Sequence, residues 1–268
     1  MKALVYTGPK QVEYLDFKDP SPTNGEFLVK ITNVGICGSD MHAYLGHDDR
    51  RPAPLILGHE ASGIIEEGEK KGESVVINPL VTCGECDYCL DGRSNLCPKR
   101  QIISMPPRQG AFAEYITMPP KNLIPIPEGL TTTKAALAEP LATAWHAVLT
   151  ASRHSHRPLS ETKGLVIGAG AVGLGSALSL KAFGCKEVSI AETNKLRRKT
   201  AEKAEIGIVV DPTHEGGIND DTMDIVIDTV GCKESRIAAV KSAKPGSVIV
   251  HVGLLDGVEL MFTRWNAT

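Results

Sequence analysis

Four cysteines, Cys83, Cys86, Cys89 and Cys97, stand in the run CGECDYCLDGRSNLC with the spacing C-x2-C-x2-C-x7-C. No other feature limits the local fold so strongly. Four thiolates in so short a loop can surround one Zn2+ tetrahedrally without help from elsewhere in the chain. Gly84 and Gly92 let the loop turn back on itself. With all four coordination positions filled, such a site is closed and structural. An iron–sulfur cluster takes the same number of ligands, and four unrelated thiols are the remaining reading. The chain has seven cysteines in all, and Cys37, Cys185 and Cys232 are scattered. An odd total with one tight cluster suits metal ligation in a reducing compartment better than disulfides.

Composition narrows the class of function. The 268 residues suffice for one large domain or two ordinary ones. Hydrophobic residues at 42% and charged residues at 23% are the mix of a globular chain that buries a core. A net charge of −3 and 4% aromatics give no reason to expect nucleic acid or an anionic membrane as partner. The opening MKALVYTGPKQVEYLDF meets charge early and does not read as a signal peptide. No stretch approaches the roughly 20 apolar residues of a membrane span. The expected location is cytoplasmic.

The pattern of elements divides the chain. Residues 1–150 carry most prolines and short Val/Ile runs such as EFLVKITNVGI and SVVINPL, which read as strands of an irregular β-rich domain containing the lobe at 83–97. The stretch TTTKAALAEPLATAWHAVLTA reads as helix, with Pro140 at a break or in a first turn. Over 151–268 apolar strands alternate with helices: GLVIGAG, AVGLGSALSLKAFG, EVSIAE, NKLRRKTAEKAE, IGIVVDP, MDIVIDTVG and SVIVHVGLL. Such alternation indicates an α/β domain with a parallel sheet covered on both faces.

GLVIGAGAVG contains Gly168-x-Gly170-x-x-Gly173 after an apolar strand and at the start of a helix, which is the context that gives this weak motif meaning. The first glycine allows the tight turn, the second lets a pyrophosphate approach, and the third lets helix and strand pack. Glu192, at the end of the next strand, is placed to accept the adenosine ribose hydroxyls and to repel a 2′-phosphate, so NAD is expected over NADP. The expected cofactor-binding set is Gly168, Gly170, Val172, Gly173, Glu192 and Arg197. Arg197 and Arg198 either soften the preference for NAD or form a solvated helix face.

A second group of chemical residues is dispersed. GICGSDMH holds Cys37 in a glycine-flanked turn, GHEASG holds His59 and Glu60 between Gly58 and Gly63, and AEPLATAWHA holds Glu139 at a helix start. Thiolate, imidazole and carboxylate make the mixed set of a zinc that keeps an exchangeable position. Taken singly, each has a plain reading: a buried thiol, a loop histidine, a first-turn carboxylate favoured by the helix dipole. Charges in HDDRRP and in SMPPRQGAF suggest a polar substrate or a phosphate, or else simply surface loop.

In that order, GICGSD, GHE, the four-cysteine lobe and EPL ahead of a glycine-rich βαβ resemble the zinc-dependent medium-chain alcohol and polyol dehydrogenases. The resemblance runs along essentially the whole chain. It implies a GroES-like β-rich catalytic domain followed by a Rossmann-type domain. It implies that Cys37 and His59 bind a catalytic zinc, with Glu60 bound directly or close by. The position of Glu139 is a cysteine in the classical alcohol dehydrogenases. It is a glutamate in the sorbitol-dehydrogenase-like branch, where it binds the zinc, its water or the substrate. Ser39 and His42 match residues that pass a proton outward through the cofactor ribose. The implied activity is hydride transfer between NAD and a secondary alcohol, a polyol or sugar derivative. The hairpin GIIEEGEKKGESVVI is shorter than usual in the family, and the resemblance implies a further C-terminal strand that this sequence lacks. That strand lies near the usual dimer contact, which leaves a homo-oligomer open. The rival expectation is a non-catalytic, zinc-stabilised nucleotide-binding protein. A zinc-free quinone reductase relative does not suit the cysteine lobe.

Overall fold

The computed structural model describes residues 1–23, 25–214 and 217–254. It comprises two compact units, Met1–Glu139 and Pro140–Thr268. The division falls inside a helix, ahead of the 150/151 boundary drawn from sequence. The end of the chain, where a further strand was expected to be missing, lies outside the described residues.

The first unit runs β1 (Lys2–Gly8), β2 (Gln11–Asp16), β3 (Phe27–Gly35), α1 (Gly38–Leu45), β4 (Leu55–Ile56), β5 (Glu60–Ile65), β6 (Ser74–Ile77), β7 (Leu80–Val81), α2 (Asp87–Leu90), β8 (Gln101–Ile102), β9 (Tyr115–Met118), β10 (Leu123–Pro125) and α3 (Thr132–Ala135). Its main sheet has the order β10-β6-β5-β3-β9, with every pair antiparallel. Val29, Ile65, Val75, Ile77, Ile116 and Met118 form its core. The alternation in EFLVKITNVGI and SVVINPL thus becomes β3 and β6. A smaller sheet, β2-β1-β4, and the pair β7-β8 complete the unit. Thr131 caps α3 by accepting the Lys134 N–H at 3.3 Å. The next helix, α4 (Ala138–His154), has Pro140 in its first turn, where a missing N–H costs nothing.

The second unit continues with β11 (Lys163–Ile167), α5 (Ala171–Ala182), β12 (Glu187–Ala191), α6 (Lys195–Lys203), β13 (Ile208–Val210), β14 (Met223–Asp228), α7 (Lys233–Ser242) and β15 (Ala243–His251). Among the described residues, its strands pair in parallel in the order β13-β12-β11-β14-β15. One face packs Val166, Ile190, Ile225 and Ile227 against Ala177 and Leu180 of α5, Ala201 of α6 and Val148 of α4. The other packs Leu165, Ile167 and Val226 against Ala239 of α7. Burial on both faces explains why these strands read as unbroken apolar runs. The α7 segment KESRIAAVKS was not anticipated from sequence, because its polar content hides the few residues that it buries. Among the described residues, no helix is long and apolar enough to cross a membrane.

Candidate metal and nucleotide sites

Among the described residues, two groups of possible metal ligands lie in the first unit. One ligand atom from each of Cys37, His59 and Glu60 falls within 4.8 Å of the other two. Cys37 caps α1 just after β3, His59 precedes β5 and Glu60 opens it. Neighbouring side chains on a strand diverge, but here the chain enters β5 from Gly58 at φ +90°. A Cβ at Gly58 would lie 2.7 Å from Phe112 Cδ1, so packing as well as backbone conformation demands glycine. Gly63, expected in the same turn, is instead inside β5, where a Cβ would overlap the Lys30 carbonyl of β3. Gly35 is the register partner of Glu60 across β3 and β5. A Cβ there would occupy the place of Glu60 Oε2.

Sequence reasoning missed Asp40. Only 2% exposed, it accepts the N–H of Cys37 at 3.0 Å and of Gly58 at 3.1 Å. Its Oδ1 stands 3.5 Å from His59 Nδ1, an ion-pair contact outside hydrogen-bond geometry. The signal was present in CGSD, where a carboxylate three residues after a helix cap reaches back to the cap N–H.

The electrostatics fit a divalent cation. Burial opposes charge on His59, yet the Asp40 carboxylate and the Cys37 sulfur hold its pKa up at about 10. Burial pushes Glu60 above the usual carboxylate range, against the pull of His59. Burial also works against the Asp40 charge, but His59 and the two backbone N–H groups keep its pKa below the ordinary value. A thiol, an imidazole and two carboxylates crowded out of water are the donors that a bound cation stabilises. Three of them, Cys37, His59 and Glu60, lie close enough together to serve as ligands of one ion, a number that would leave a coordination position open.

Ser39 is half-buried in the first turn of α1, and His42 follows three residues later on the same helix face. Glu139, in the first turn of α4, does not join the group of Cys37, His59 and Glu60. The charges of HDDRRP are largely committed to each other. Arg51, 4% exposed, pairs with Asp48 and donates to the Ser104 carbonyl at 3.0 Å, while Arg50 Nε reaches Asp48 at 2.7 Å. They tie two loops together.

The second group is the lobe, where Cys83, Cys86, Cys89 and Cys97 all lie within 4.8 Å of one another. Sγ–Sγ separations are 3.5 Å for Cys86–Cys89, 3.5 Å for Cys83–Cys97 and 3.9 Å for Cys83–Cys89. A tetrahedron with Zn–S bonds of about 2.3 Å has edges of about 3.8 Å, so the cage is the right size. Gly84 and Gly92 take φ of +78° and +72°, conformations that turn the loop. The N–H groups of Glu85 and Cys86 draw the Cys83 thiol down to about 6, toward the thiolate that a metal needs.

In the second unit, β11 enters the glycine turn at Gly168, with φ +98°. A Cβ at Gly168 would lie 2.7 Å from Thr229 Oγ1, and one at Gly173 would overlap the Gly168 carbonyl. A Cβ at Gly170 would meet nothing within 4 Å. Gly168 and Gly173 are therefore needed for packing, whereas Gly170 leaves open space at the N-terminus of α5, a place that favours an anion. Val172 sits half-buried in the first turn of that helix. Glu192 is 6% exposed, and its carboxylate accepts the N–H of Ala169 at 2.8 Å and of Asn194 at 2.8 Å. Arg197 is mostly exposed, with Nη1 4.0 Å from Glu192 Oε2. Arg198 is occupied by Asp211 at 2.8 Å and by the Glu192 carbonyl at 2.8 Å, so it belongs to the framework.

Comparison with known proteins agrees with this arrangement. Residues 23–128 match the alcohol dehydrogenase GroES-like domain, and residues 171–264 match the zinc-binding dehydrogenase domain. The chain is 35% identical to L-galactonate-5-dehydrogenase of Escherichia coli K12, over 98% of this chain and 78% of that protein. It is 33% identical to sorbitol dehydrogenase of Bacillus subtilis 168, over 95% of this chain and 75% of the relative. A solved structure of an alcohol dehydrogenase (rspB) from E. coli CFT073, complexed with NADH, superposes with a TM-score of 0.81 at 30% identity, covering 97% of this chain and 79% of its own. Fold, ligand sets and relatives agree that this chain belongs to the zinc-dependent medium-chain alcohol and polyol dehydrogenases.

Proposed function

We propose that the protein is an NAD-dependent, zinc-dependent oxidoreductase for a secondary alcohol, with a polyol or sugar derivative as substrate. The observation that carries this reading is the convergence of Cys37, His59 and Glu60 within 4.8 Å, a three-ligand set separate from the four-thiolate lobe. Names of relatives that act on galactonate and on sorbitol support the substrate class. The seven free cysteines suit a reducing cytoplasm.

When bound, Zn2+ would supply a Lewis acid for the alcohol oxygen, lowering the pKa of its hydroxyl, and NAD would supply the hydride acceptor. Each protein group has a defined part. Cys37 and His59 hold the metal, one as thiolate and one as neutral imidazole. Asp40 fixes the orientation of the His59 ring from the side away from the metal. Glu60 supplies a carboxylate near the ion, with Gly35 leaving the space for it. Glu139 serves as a further acid for water or substrate. Ser39 and His42, one turn apart on α1, carry the hydroxyl proton outward. On the nucleotide side, Gly170 admits the pyrophosphate and Glu192 takes the adenosine ribose, with Arg197 beside it.

The test is a screen of alcohols, polyols and sugar acids with NAD, read as absorbance of the reduced cofactor and run beside zinc analysis. Turnover of a polyol or sugar acid with two zinc ions per chain is the expected result. One zinc per chain and no turnover would replace this reading with a zinc-stabilised nucleotide-binding protein.

A further inference from the structure

The glycine turn and Glu192 account for the adenosine half of a dinucleotide. A doubly wound sheet binds its ligand outside the carboxyl ends of the strands, where the strand order reverses. Here that reversal lies between β11 and β14. With the adenosine half over β11 and β12, the nicotinamide half lies over the ends of β14 and β15.

Those two strands end on Asp228 and His251, which are register partners. Asp228 is 0% exposed. Its Oδ1 accepts the N–H groups of Val230 at 3.1 Å and Gly231 at 3.2 Å. Its Oδ2 lies 3.2 Å from His251 Nδ1 and 3.4 Å from Arg236 Nε. Arg236 in turn donates from Nη2 to the Gly253 carbonyl at 2.7 Å. A Cβ at Gly231 would stand 2.5 Å from the Gly253 carbonyl carbon, so the two strand-end loops are locked backbone to backbone. Ion pair, N–H groups and glycine contact together anchor one imidazole edge in a rigid frame. The His251 side chain is 36% exposed, and among the described residues nothing pairs with its Nε2.

We propose that His251 Nε2 hydrogen-bonds the nicotinamide riboside of the bound dinucleotide, and that Asp228 is the residue that positions it. The chemistry favours a neutral partner. A carboxylate directly behind the ring works against a phosphate there, and the α5 N-terminus already offers the phosphates a seat. A ribose hydroxyl both donates and accepts, so it pairs with Nε2 in either protonation state of the ring.

This inference rests on the dinucleotide reading above, and its test separates the two. The zinc-loaded protein, with His251→Ala and His251→Gln variants, is titrated with NADH, which carries both halves, and with ADP, which carries only the adenosine half. His251→Ala should weaken NADH about tenfold, the equivalent of one lost hydrogen bond, while ADP affinity stays within about twofold. His251→Gln, which keeps a polar terminus, should recover part of the loss. An unchanged NADH affinity in His251→Ala, or an equal loss for ADP, overturns the assignment of His251 while leaving the dinucleotide site intact. Failure of the unmutated protein to bind either ligand overturns the dinucleotide reading and this inference with it.

Discussion

Asp40 Oδ1 stands 3.5 Å behind His59 Nδ1, and the same buried carboxylate takes the N–H groups of Cys37 and Gly58. One side chain therefore fixes the loop ends that present two of the three proposed ligands. In the proposed arrangement the metal takes the other imidazole nitrogen, Nε2. Carboxylate support of this kind holds a ligating histidine in one orientation and raises its basicity.

Asp40→Asn should accordingly weaken zinc binding at this site by about 10- to 100-fold. The lobe, built from separate residues, should be unaffected. Zinc retained per chain after stepwise chelation is the measurement. A variant that gives up its first zinc at the same chelator concentration as the parent would show that Asp40 serves only the fold.

Gly35 and Glu60 give a second prediction. Because a Cβ on Gly35 would occupy the place of Glu60 Oε2, Gly35→Ala should push the carboxylate out of the group. The packing cost is about 1–3 kcal/mol, and activity should fall well beyond what that loss of stability explains. Thermal unfolding and kcat together decide the matter. Full activity in a destabilised variant would mean that Glu60 moves without consequence.

How much of this was legible in the linear sequence follows from where each constraint lies. The lobe was readable because its ligands and its turn glycines are neighbours in the chain. The glycine turn and Glu192 were readable because a strand, a turn and a helix follow each other without interruption. Gly35 was read only as a glycine flanking the Cys37 turn; its packing against Glu60 was hidden because it depends on the β3–β5 register, a pairing of residues 25 positions apart. Asp40 was hidden beside a cysteine and a histidine that drew the chemical reading. The charges of HDDRRP left a polar substrate and a surface loop equally open in the sequence, and in the structure Arg50 and Arg51 both pair with Asp48. Composition alone does not distinguish a charge that meets a ligand from one that meets its neighbour.

The lobe predicts a loss of stability. Cys89→Ser removes one corner of a closed cage whose sulfurs are 3.5 to 3.9 Å apart along the edges given by Cys83, Cys86 and Cys89. The remaining three thiols should hold zinc far less tightly, because binding and local folding are one process. Stability should fall by about 3 kcal/mol, or roughly 6 to 12 °C in Tm for a chain of this size. Unchanged zinc content and an unchanged Tm would refute the structural role.

The proposed preference for NAD rests on Glu192. Its oxygens accept two backbone N–H groups, so truncation also loosens the loop; Glu192→Gln is the cleaner substitution. It should lower the ratio of NAD to NADP affinity about tenfold, because a charge that repels the 2′-phosphate is gone and Arg197, 4.0 Å away, is released to meet it. Paired titrations with the two reduced cofactors read the ratio directly. A constant ratio would assign ribose recognition to another group.

The adjacent residues His59 and Glu60 should behave differently when each is changed. His59 is 7% exposed, with Asp40 behind it and the Cys37 sulfur in reach of its ring. Once a metal displaces its proton it offers a nitrogen whose position is supported, so His59→Ala should empty the site and reduce zinc from two per chain toward one. Glu60 is equally buried, but burial already drives its pKa upward, so its charge is the less securely held. A carboxylate of that kind tunes the ion more than it retains it. Glu60→Gln should keep most of the metal and lose turnover, with kcat falling more than zinc occupancy. The decisive measurement is zinc per chain alongside kcat for both variants. If His59→Ala still holds two zinc ions, the metal lies elsewhere and the three-ligand reading fails. If Glu60→Gln loses metal as completely as His59→Ala does, Glu60 is a full ligand, and the division of labour proposed for this pair is wrong.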